Sequence, residues 1–277
     1  MRTEDFVITA TLPVSGTATG AGIRALADAL RGRVSAVHVD ADRAAEGPPD
    51  ALAVAALALG CGLDPVVHLT CRDRNRLALK AGLLGLVALG VGSVVLSRGQ
   101  KMPDDLRGKV KGVFDTTTLQ LIGMARHIRE SVVPELYLGS RVSVIRPGEN
   151  WRASEARKRI AAGVQFLQTL PCLNTGMLQA YLQRLVALKI THDAAVIVDV
   201  PVPTSTAAAA KIAVDYPGAR IPAAVQRRLQ AAADPRAEGV AIAVEVLRAC
   251  RSTPGITGVN LVGEVPAVTD VIAAAGD

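Results

Sequence analysis

The sequence predicts an α/β protein that folds as a (β/α)8 barrel, the TIM barrel. Short β-branched runs alternate with longer helical patterns along the whole chain, which is typical of βαβ units and a parallel sheet. Eight such runs occur, and eight strands with their helices match a closed barrel better than an open sheet. No strand ends in a Gly-x-Gly-x-x-Gly loop, so the pattern does not indicate a dinucleotide-binding open sheet.

The predicted strands are short runs rich in β-branched and other apolar residues. In chain order they are expected at Phe6 to Leu12, Val34 to Val39, Val66 to Thr70, Ser93 to Leu96, Tyr137 to Val144, Phe166 to Thr169, Ala195 to Val200 and Gly258 to Val262.

The predicted helices follow from apolar residues that recur with the helical period. Asp115, Thr116 and Thr117 provide capping side chains ahead of the fourth helix. The long segment between strands seven and eight restarts a helix at Ile221–Pro222, which predicts an extra helix there. The other helices are expected at Gly20 to Leu30, Ala51 to Ala58, Arg74 to Gly85, Thr117 to Arg129, Ala153 to Ala162, Gly176 to Leu188, Thr206 to Val214, Val240 to Ala249 and Val265 to Ala274.

Length and composition predict one domain over residues 1–277, with no membrane insertion. Half of the residues are apolar but only 3% are aromatic, so Ala, Val, Leu and Ile must fill the core. The longest uncharged apolar run, Ala81 to Leu96, is too short to cross a bilayer. The charged residues from Met1 to Asp5 lead directly into a strand, which predicts a cytoplasmic protein.

Charge and cysteine usage exclude two classes of function. The formal net charge is +6, but the basic residues are scattered and aromatic residues for base stacking are nearly absent, which argues against nucleic-acid binding. A moderate basic excess instead suits a phosphorylated cofactor or a polyglutamate tail. The four cysteines are far apart and have no paired metal-ligand spacing, so we expect buried thiols and no metal.

Polar residues close the predicted strands, and active sites of such barrels lie at the carboxyl ends of the strands. Together they predict a ring of hydrogen-bonding groups with few negative charges. The ring consists of Thr11, His38 with Asp40, His68 with Thr70, Arg98 with Gln100, Ser143, Gln168 with Thr169, Asp199 and Asn260.

Several of these strand ends resemble one known family. The stretch from His68 to Arg76, His-Leu-Thr-Cys-Arg-Asp-Arg-Asn-Arg, resembles the strand-three motif of methylenetetrahydrofolate reductases. Further matches run in order along the chain, at Val113 to Asp115 with Leu119 to Leu121, at Ala162 to Thr169, at Pro201 to Ser205 and at Gly218 to Pro222. The resemblance implies a (β/α)8 barrel that holds FAD and reduces methylenetetrahydrofolate to methyltetrahydrofolate with a nicotinamide donor.

The sequence also departs from that family at residues that matter for the chemistry. Thr11 stands where the family has a glutamate that acts in the folate's proton chemistry. Gln100, in Arg98–Gly99–Gln100, stands where the family has an aspartate near flavin and pterin. Leu170 replaces the glutamine that holds the pterin in the family. The family's C-terminal Leu-Asn-Arg segment has no counterpart in Leu261 to Glu264. These changes weaken the expectation of bound FAD.

The resemblance and the strand ends together assign expected roles to particular residues. The carboxylates of Asp199 and Asp40 are the expected proton donors in place of Thr11, and Gln100 is expected beside the reacting groups. The remaining expected contacts are His68, Thr70, Arg98 and Gly99 for the flavin, Lys158 and Arg159 for cofactor phosphates or a folate glutamate, and Thr11, Gln168, Thr169 and Leu170 for the substrate.

Two functions are compatible with this sequence. The first is an NAD(P)H-dependent oxidoreductase, with or without FAD, that interconverts methylene- and methyl-tetrahydrofolate. The second is a folate-binding methyl- or methylene-transfer protein, or a non-redox subunit of a larger complex, that has lost the usual acid and flavin residues. In both the partner is a small-molecule folate, and self-association or a protein complex is left open.

Overall fold

The computed structural model describes residues 6–40, 49–100 and 108–276 and confirms the predicted (β/α)8 barrel. Eight parallel strands close in sequence order, and β1 pairs with β8 through Thr9 opposite Asn260. The strands are β1 Val7–Thr11, β2 Val37–Val39, β3 Pro65–Thr70, β4 Ser93–Ser97, β5 Tyr137–Val142, β6 Phe166–Thr169, β7 Ala195–Pro201 and β8 Gly258–Val262. The charged residues from Met1 to Asp5 lie outside the described residues.

The helices follow the predicted order, with one addition. The extra helix between β7 and β8 is confirmed as α9, and the four-residue α7 was not predicted. The helices are α1 Gly20–Leu30, α2 Ala51–Gly60, α3 Arg76–Ala88, α4 Thr118–Ser131, α5 Ser154–Ala162, α6 Thr175–Ala187, α7 Ile190–Asp193, α8 Thr206–Asp215, α9 Ala223–Ala231, α10 Pro235–Ser252 and α11 Val265–Gly276.

Local side-chain chemistry fixes the helix starts near the mouth of the barrel. Thr117 and Gln120 form a capping box at the start of α4. Asp115 does not cap α4; its carboxylate accepts a hydrogen bond of 3.0 Å from the backbone nitrogen of Arg76 at the start of α3. The helices α3 and α4 therefore begin beside each other at the carboxyl end of the barrel.

An apolar cluster lies in the lower half of the barrel interior. Val66, Val95, Phe166 and Ile197 form this interior cluster, separate from the larger core between strands and helices. The ring of Phe166 occupies the space beside Gly139, where any side chain would overlap it.

Two findings for the described residues concern membranes and metal ions. No helix in the described part of the chain is long and apolar enough to cross a membrane. Within the same residues, no group of three His, Cys, Asp or Glu side chains is arranged to hold a metal ion. The four cysteines are buried and free.

We predict that Gly139→Ala destabilises the protein by about 1–3 kcal/mol, because the added methyl group overlaps the ring of Phe166 in a packed interior. Urea unfolding measures the change. Adding Phe166→Leu to this variant should recover part of the loss, and Gly123→Ala in α4, where a side chain meets nothing, should be neutral or stabilising. A Gly139→Ala protein as stable as wild type would contradict this packing.

Candidate active site

A cluster of buried polar side chains fills the carboxyl half of the barrel. Alternate residues of a strand face the same side, so each strand contributes inward-facing groups near its carboxyl end. The cluster, called here the mouth cluster, consists of Thr11, His38, Asp40, His68, Arg141, Gln168, Asp199, Asn260 and, from the loop after α8, Tyr216. Burying so many polar groups is costly unless they bond to each other or to a ligand.

Asp199 lies at the centre of the hydrogen bonds among β6, β7 and β8. Its Oδ1 accepts from Nε2 of Gln168 at 2.6 Å and from Nδ2 of Asn260 at 2.8 Å. The same Nδ2 donates to Oγ1 of Thr11 at 2.9 Å. These bonds hold one oxygen of the carboxylate in place and leave the other available.

Two buried acceptors of this group have no hydrogen-bond partner among the described residues. They are Oδ2 of Asp199 and Oε1 of Gln168. A buried polar atom without a partner costs about 1–3 kcal/mol, so such atoms point to a ligand or a proton that completes them.

The environment of Asp199 favours its protonated form. Burial raises the pKa of Asp199 from 3.8 to about 6, although the charge of Arg141 and the hydrogen bonds from Gln168 and Asn260 lower it. A carboxyl group with a pKa near 6 can hold and release a proton near neutral pH.

Asp40 lies in a different electrostatic environment. Its Oδ2 forms a buried ion pair with Arg141 and accepts a hydrogen bond from the Tyr216 hydroxyl at 3.2 Å. The Arg141 guanidinium also lies 5.4 Å from the centre of the Tyr216 ring. Burial lowers the pKa of Arg141, but Asp40 and the other nearby acidic groups raise it above its ordinary value overall. Arg141 therefore stays charged and favours the carboxylate form of Asp40.

The two histidines of the cluster are linked to each other. Nδ1 of His38 and Nε2 of His68 lie 2.9 Å apart and share a hydrogen bond. Burial, followed by the charge of Arg141, lowers the pKa of His38 to about 3, so its ring is neutral. His68 in turn places Nδ1 at 3.8 Å from Oδ1 of Asp40.

The loop after α8 crosses the ends of two strands and carries Tyr216 into the cluster. Nε of Arg220 donates to the carbonyl of Val144 at 3.0 Å, and its backbone nitrogen donates to Pro171 at 2.8 Å. Tyr216 itself is almost fully buried. This loop therefore covers the mouth on the side of β5 and β6.

A cavity of about 330 Å³ opens beside the loop, above β1, β7 and β8. These strands carry Thr11, Asp199 and Asn260. Its walls come from the segments that follow the three strands and from α8: Pro13, Val14, Ser15, Gly16, Val202, Thr204, Ala208, Lys211, Ile212, Asp215, Val262, Gly263 and Glu264. The apolar walls suit a flat organic ring near the polar cluster.

Among the predicted site residues, the structure brings Thr11, Asp40, His68, Gln168 and Asp199 together in the mouth cluster. The other two residues expected to contact the substrate, Thr169 and Leu170, are not part of the mouth cluster. Oγ1 of Thr169 accepts from the backbone nitrogen of Asp199 at 3.1 Å, so it extends the strand pairing. The backbone nitrogen of Leu170 donates to Val142 at 2.8 Å.

The residues expected to contact a flavin lie on the β3 and β4 side of the mouth. Gly99 takes a φ of 87°, and a side chain there would lie 3.0 Å from Oγ1 of Thr70 and 2.8 Å from Cβ of Arg72. Arg98 is exposed at the rim, and Gln100 is partly buried. Their contact with a cofactor stays a prediction.

The basic pair expected to hold phosphates has other partners. Lys158 lies on the exposed face of α5, where Nζ is 3.1 Å from Glu155. The guanidinium of Arg159 donates to the backbone carbonyl of Arg141. Of the cations expected to hold an FAD diphosphate, Arg98 alone has no hydrogen bond or ion pair to a described residue, so this donor set fits tightly bound FAD poorly.

Sequence reasoning missed Arg141 and Tyr216. Arg141 left a signal in the sequence, because an arginine within a buried strand indicates an interior charge that needs a partner. Tyr216 gave no comparable signal, because it lies in a loop and reaches Asp40 only through the closure of the barrel.

Comparisons with known proteins agree with this architecture. The sequence profile described as Methylenetetrahydrofolate reductase matches residues 18–262. No curated protein sequence matches the chain. A solved structure titled as an uncharacterized protein from Clostridium thermocellum that binds two copies of 5-methyl-5,6,7,8-tetrahydrofolic acid is similar at 14% identity, with a TM-score of 0.67, over 98% of this chain and 94% of that one.

Two further solved structures share the fold. 2,3-Dimethylmalate lyase matches 99% of this chain and 79% of its own at 13% identity, with a TM-score of 0.52. A fungal β-1,4-galactanase matches 87% and 80% at 14% identity, with a TM-score of 0.51. At such low identity these likenesses establish the barrel and nothing about its chemistry.

We predict that Asp199 makes the protein less stable as pH rises from 4 to 7. The folded protein keeps the Asp199 proton up to about pH 6, whereas an unfolded chain releases it near pH 3.8, so the free energy of unfolding falls between pH 4 and pH 7 by roughly 2 kcal/mol. Asp199→Asn removes this pH dependence of the free energy of unfolding. Its stability relative to wild type, from urea unfolding, should therefore rise between pH 4 and pH 7.

The control is Asp28→Asn, which neutralises an exposed carboxylate. Its stability relative to wild type should change little over the same pH range. If the stability of Asp199→Asn relative to wild type also changed little over this pH range, the result would contradict the raised pKa of Asp199.

Proposed function

The chain belongs to the methylenetetrahydrofolate reductase family, and on that premise we propose that it binds a reduced folate at the carboxyl end of its barrel and interconverts methylene- and methyl-tetrahydrofolate. The observation that carries the proposal is the pair of buried acceptors without partners, Oδ2 of Asp199 and Oε1 of Gln168, at the centre of the mouth cluster.

The chemistry of a reduced pterin matches these groups. Its ring edge carries N–H donors and nitrogen acceptors, which complement the amides of Gln168 and Asn260 and the hydroxyl of Thr11. The cavity above β1, β7 and β8 lies over the ends of the strands that carry Thr11, Asp199 and Asn260, although none of these three side chains lines it. The folate-binding protein from Clostridium thermocellum has the same fold, which supports this ligand class.

Asp199 is the proposed proton donor. Opening the imidazolidine ring of methylenetetrahydrofolate requires a proton on the departing nitrogen, and this leaves an iminium carbon on the other nitrogen. A hydride added to that carbon completes the methyl group, and NAD(P)H is the proposed hydride donor. Asp199 can supply the proton because its pKa is raised to about 6 and Oδ2 is available.

The other candidate donors suit this step less well. Asp40 is held as a carboxylate by Arg141, which favours an electrostatic and positioning role. The Thr11 hydroxyl and the Gln100 amide do not ionise near neutral pH. Since the described cations fit FAD poorly, no step is assigned to a flavin.

A second candidate function is folate binding without reduction, in a methyl- or methylene-transfer protein or a non-redox subunit. The observation that favours it is the replacement of two carboxylates expected from the family by Thr11 and Gln100. The two candidates share the folate site and differ in turnover.

We predict that Asp199→Asn lowers the rate of methylenetetrahydrofolate reduction by about 100- to 10,000-fold, the usual contribution of a general acid. Binding of 5-methyltetrahydrofolate, from isothermal titration, should change far less, because the amide keeps the oxygen that Gln168 and Asn260 bond. Rates are measured with NADH and with NADPH.

The matched control is Glu130→Gln, the same kind of change at an exposed carboxylate on α4, which should leave both values unchanged. Wild-type rates in Asp199→Asn would exclude Asp199 as the donor. Wild-type protein that binds the folate without turnover would favour the second candidate, and wild-type protein that binds no folate would exclude both.

A further inference from the structure

Phe114 has two unusual features for an aromatic side chain in this protein. It is the only exposed Phe, Tyr or Trp among the described residues, with 42% of its surface accessible. Its backbone also takes a φ of 46°, in the left-handed region that bulky residues rarely adopt. Such outliers persist where surrounding contacts enforce them, and they cluster at ligand-binding sites.

The contacts that hold Phe114 come from the loop after β3. Its backbone nitrogen donates to the carbonyl of Cys71 at 3.2 Å, and that of Val113 donates to Arg72 at 2.6 Å. The neighbouring Asp115 bonds the first turn of α3. The backbone beneath the ring is therefore fixed to two loops, and the ring faces outward from a rigid support at the rim.

Arg98 lies over this ring. Its guanidinium carbon is 5.3 Å from the centre of the Phe114 ring, and the guanidinium makes no hydrogen bond or ion pair with a described residue. The two side chains thus present an apolar ring beside a cation whose donors are available, a combination that suits an aromatic group carrying carboxylates.

The barrel closure sets where this pair lies relative to Asp199. Arg98 follows β4, whereas Asp199 and Asn260 belong to β7 and β8. In a closed order of eight strands, β4 lies opposite β8. Arg98 and Phe114 therefore lie across the mouth from Asp199, and an elongated ligand would have to span the mouth to contact both ends.

On the basis of the proposed function, we propose that Arg98 and Phe114 bind the p-aminobenzoyl-glutamate end of the folate. The Phe114 ring stacks on the benzoyl group, and Arg98 binds a glutamate carboxylate. The pterin end is held by the mouth cluster on the opposite side. The pair therefore selects complete folates over free pterins.

Ligands that lack one end of the folate test this assignment. Isothermal titration is carried out on wild-type protein and on Phe114→Ala, Phe114→Leu and Arg98→Gln, with 5-methyltetrahydrofolate and with 5,6-dimethyltetrahydropterin, which has no benzoyl-glutamate. Phe114→Ala should weaken folate binding about 2- to 10-fold, the contribution of an aromatic contact, and Phe114→Leu by less. Arg98→Gln should weaken it about 3- to 10-fold, with a larger effect at low salt.

None of these variants should change the affinity for the pterin by more than about twofold, because the pterin does not reach the rim. Val132→Ala and Arg31→Gln are the controls, since they remove an exposed apolar group and an exposed cation near the ends of α4 and α1. Both should bind the folate like wild type.

Four results would overturn the assignment. Unchanged folate affinity in Phe114→Ala and Arg98→Gln would do so while leaving the proposed function intact. Equal losses for folate and pterin would show that the pair supports the site without contacting the tail. Weaker binding of NADH with unchanged binding of folate would identify a dinucleotide site. Wild-type protein that binds neither folate nor pterin would remove the proposed function and this assignment together.

Discussion

The two hydrogen bonds that Asp199 accepts, from Gln168 and Asn260, connect three neighbouring strands at the carboxyl end of the barrel. They fix one carboxylate oxygen and leave the other buried without a partner among the described residues. The raised pKa of Asp199 follows from that burial. The environment of Asp40 is different, because its buried ion pair with Arg141 favours the carboxylate form, whereas burial of Asp199 favours the protonated form.

The strands could be predicted from sequence because each is a short apolar run whose position needs no knowledge of its neighbours. Phe166–Thr169 and Gly258–Val262 were predicted with the observed bounds. Boundaries that depend on pairing were less accurate: β2 begins at Val37, the first residue in register with both β1 and β3, and not at Val34. The short helix Ile190–Asp193 has too few residues to show a period.

The site was predictable only where it follows the strand ends. Thr11, His68, Gln168 and Asp199 could be selected because the fold fixes where strands end. The pairing of Arg141 and Tyr216 with Asp40 could not be predicted, because these contacts join residues 101 and 176 positions apart. The difference between Asp40 and Asp199 likewise depends on which carboxylate meets the guanidinium, and sequence spacing does not encode that pairing. Membership of a reductase family therefore leaves the proton donor to be found from the structure.

A crystal structure with bound 5-methyltetrahydrofolate is the most direct measurement of the central claim, which is that the unpartnered acceptors of the mouth cluster receive a folate. The account predicts a ligand nitrogen within hydrogen-bonding distance of Oδ2 of Asp199 and a ligand N–H bonded to Oε1 of Gln168. A folate bound elsewhere on the protein, with both oxygens still buried and without a ligand contact, would contradict it.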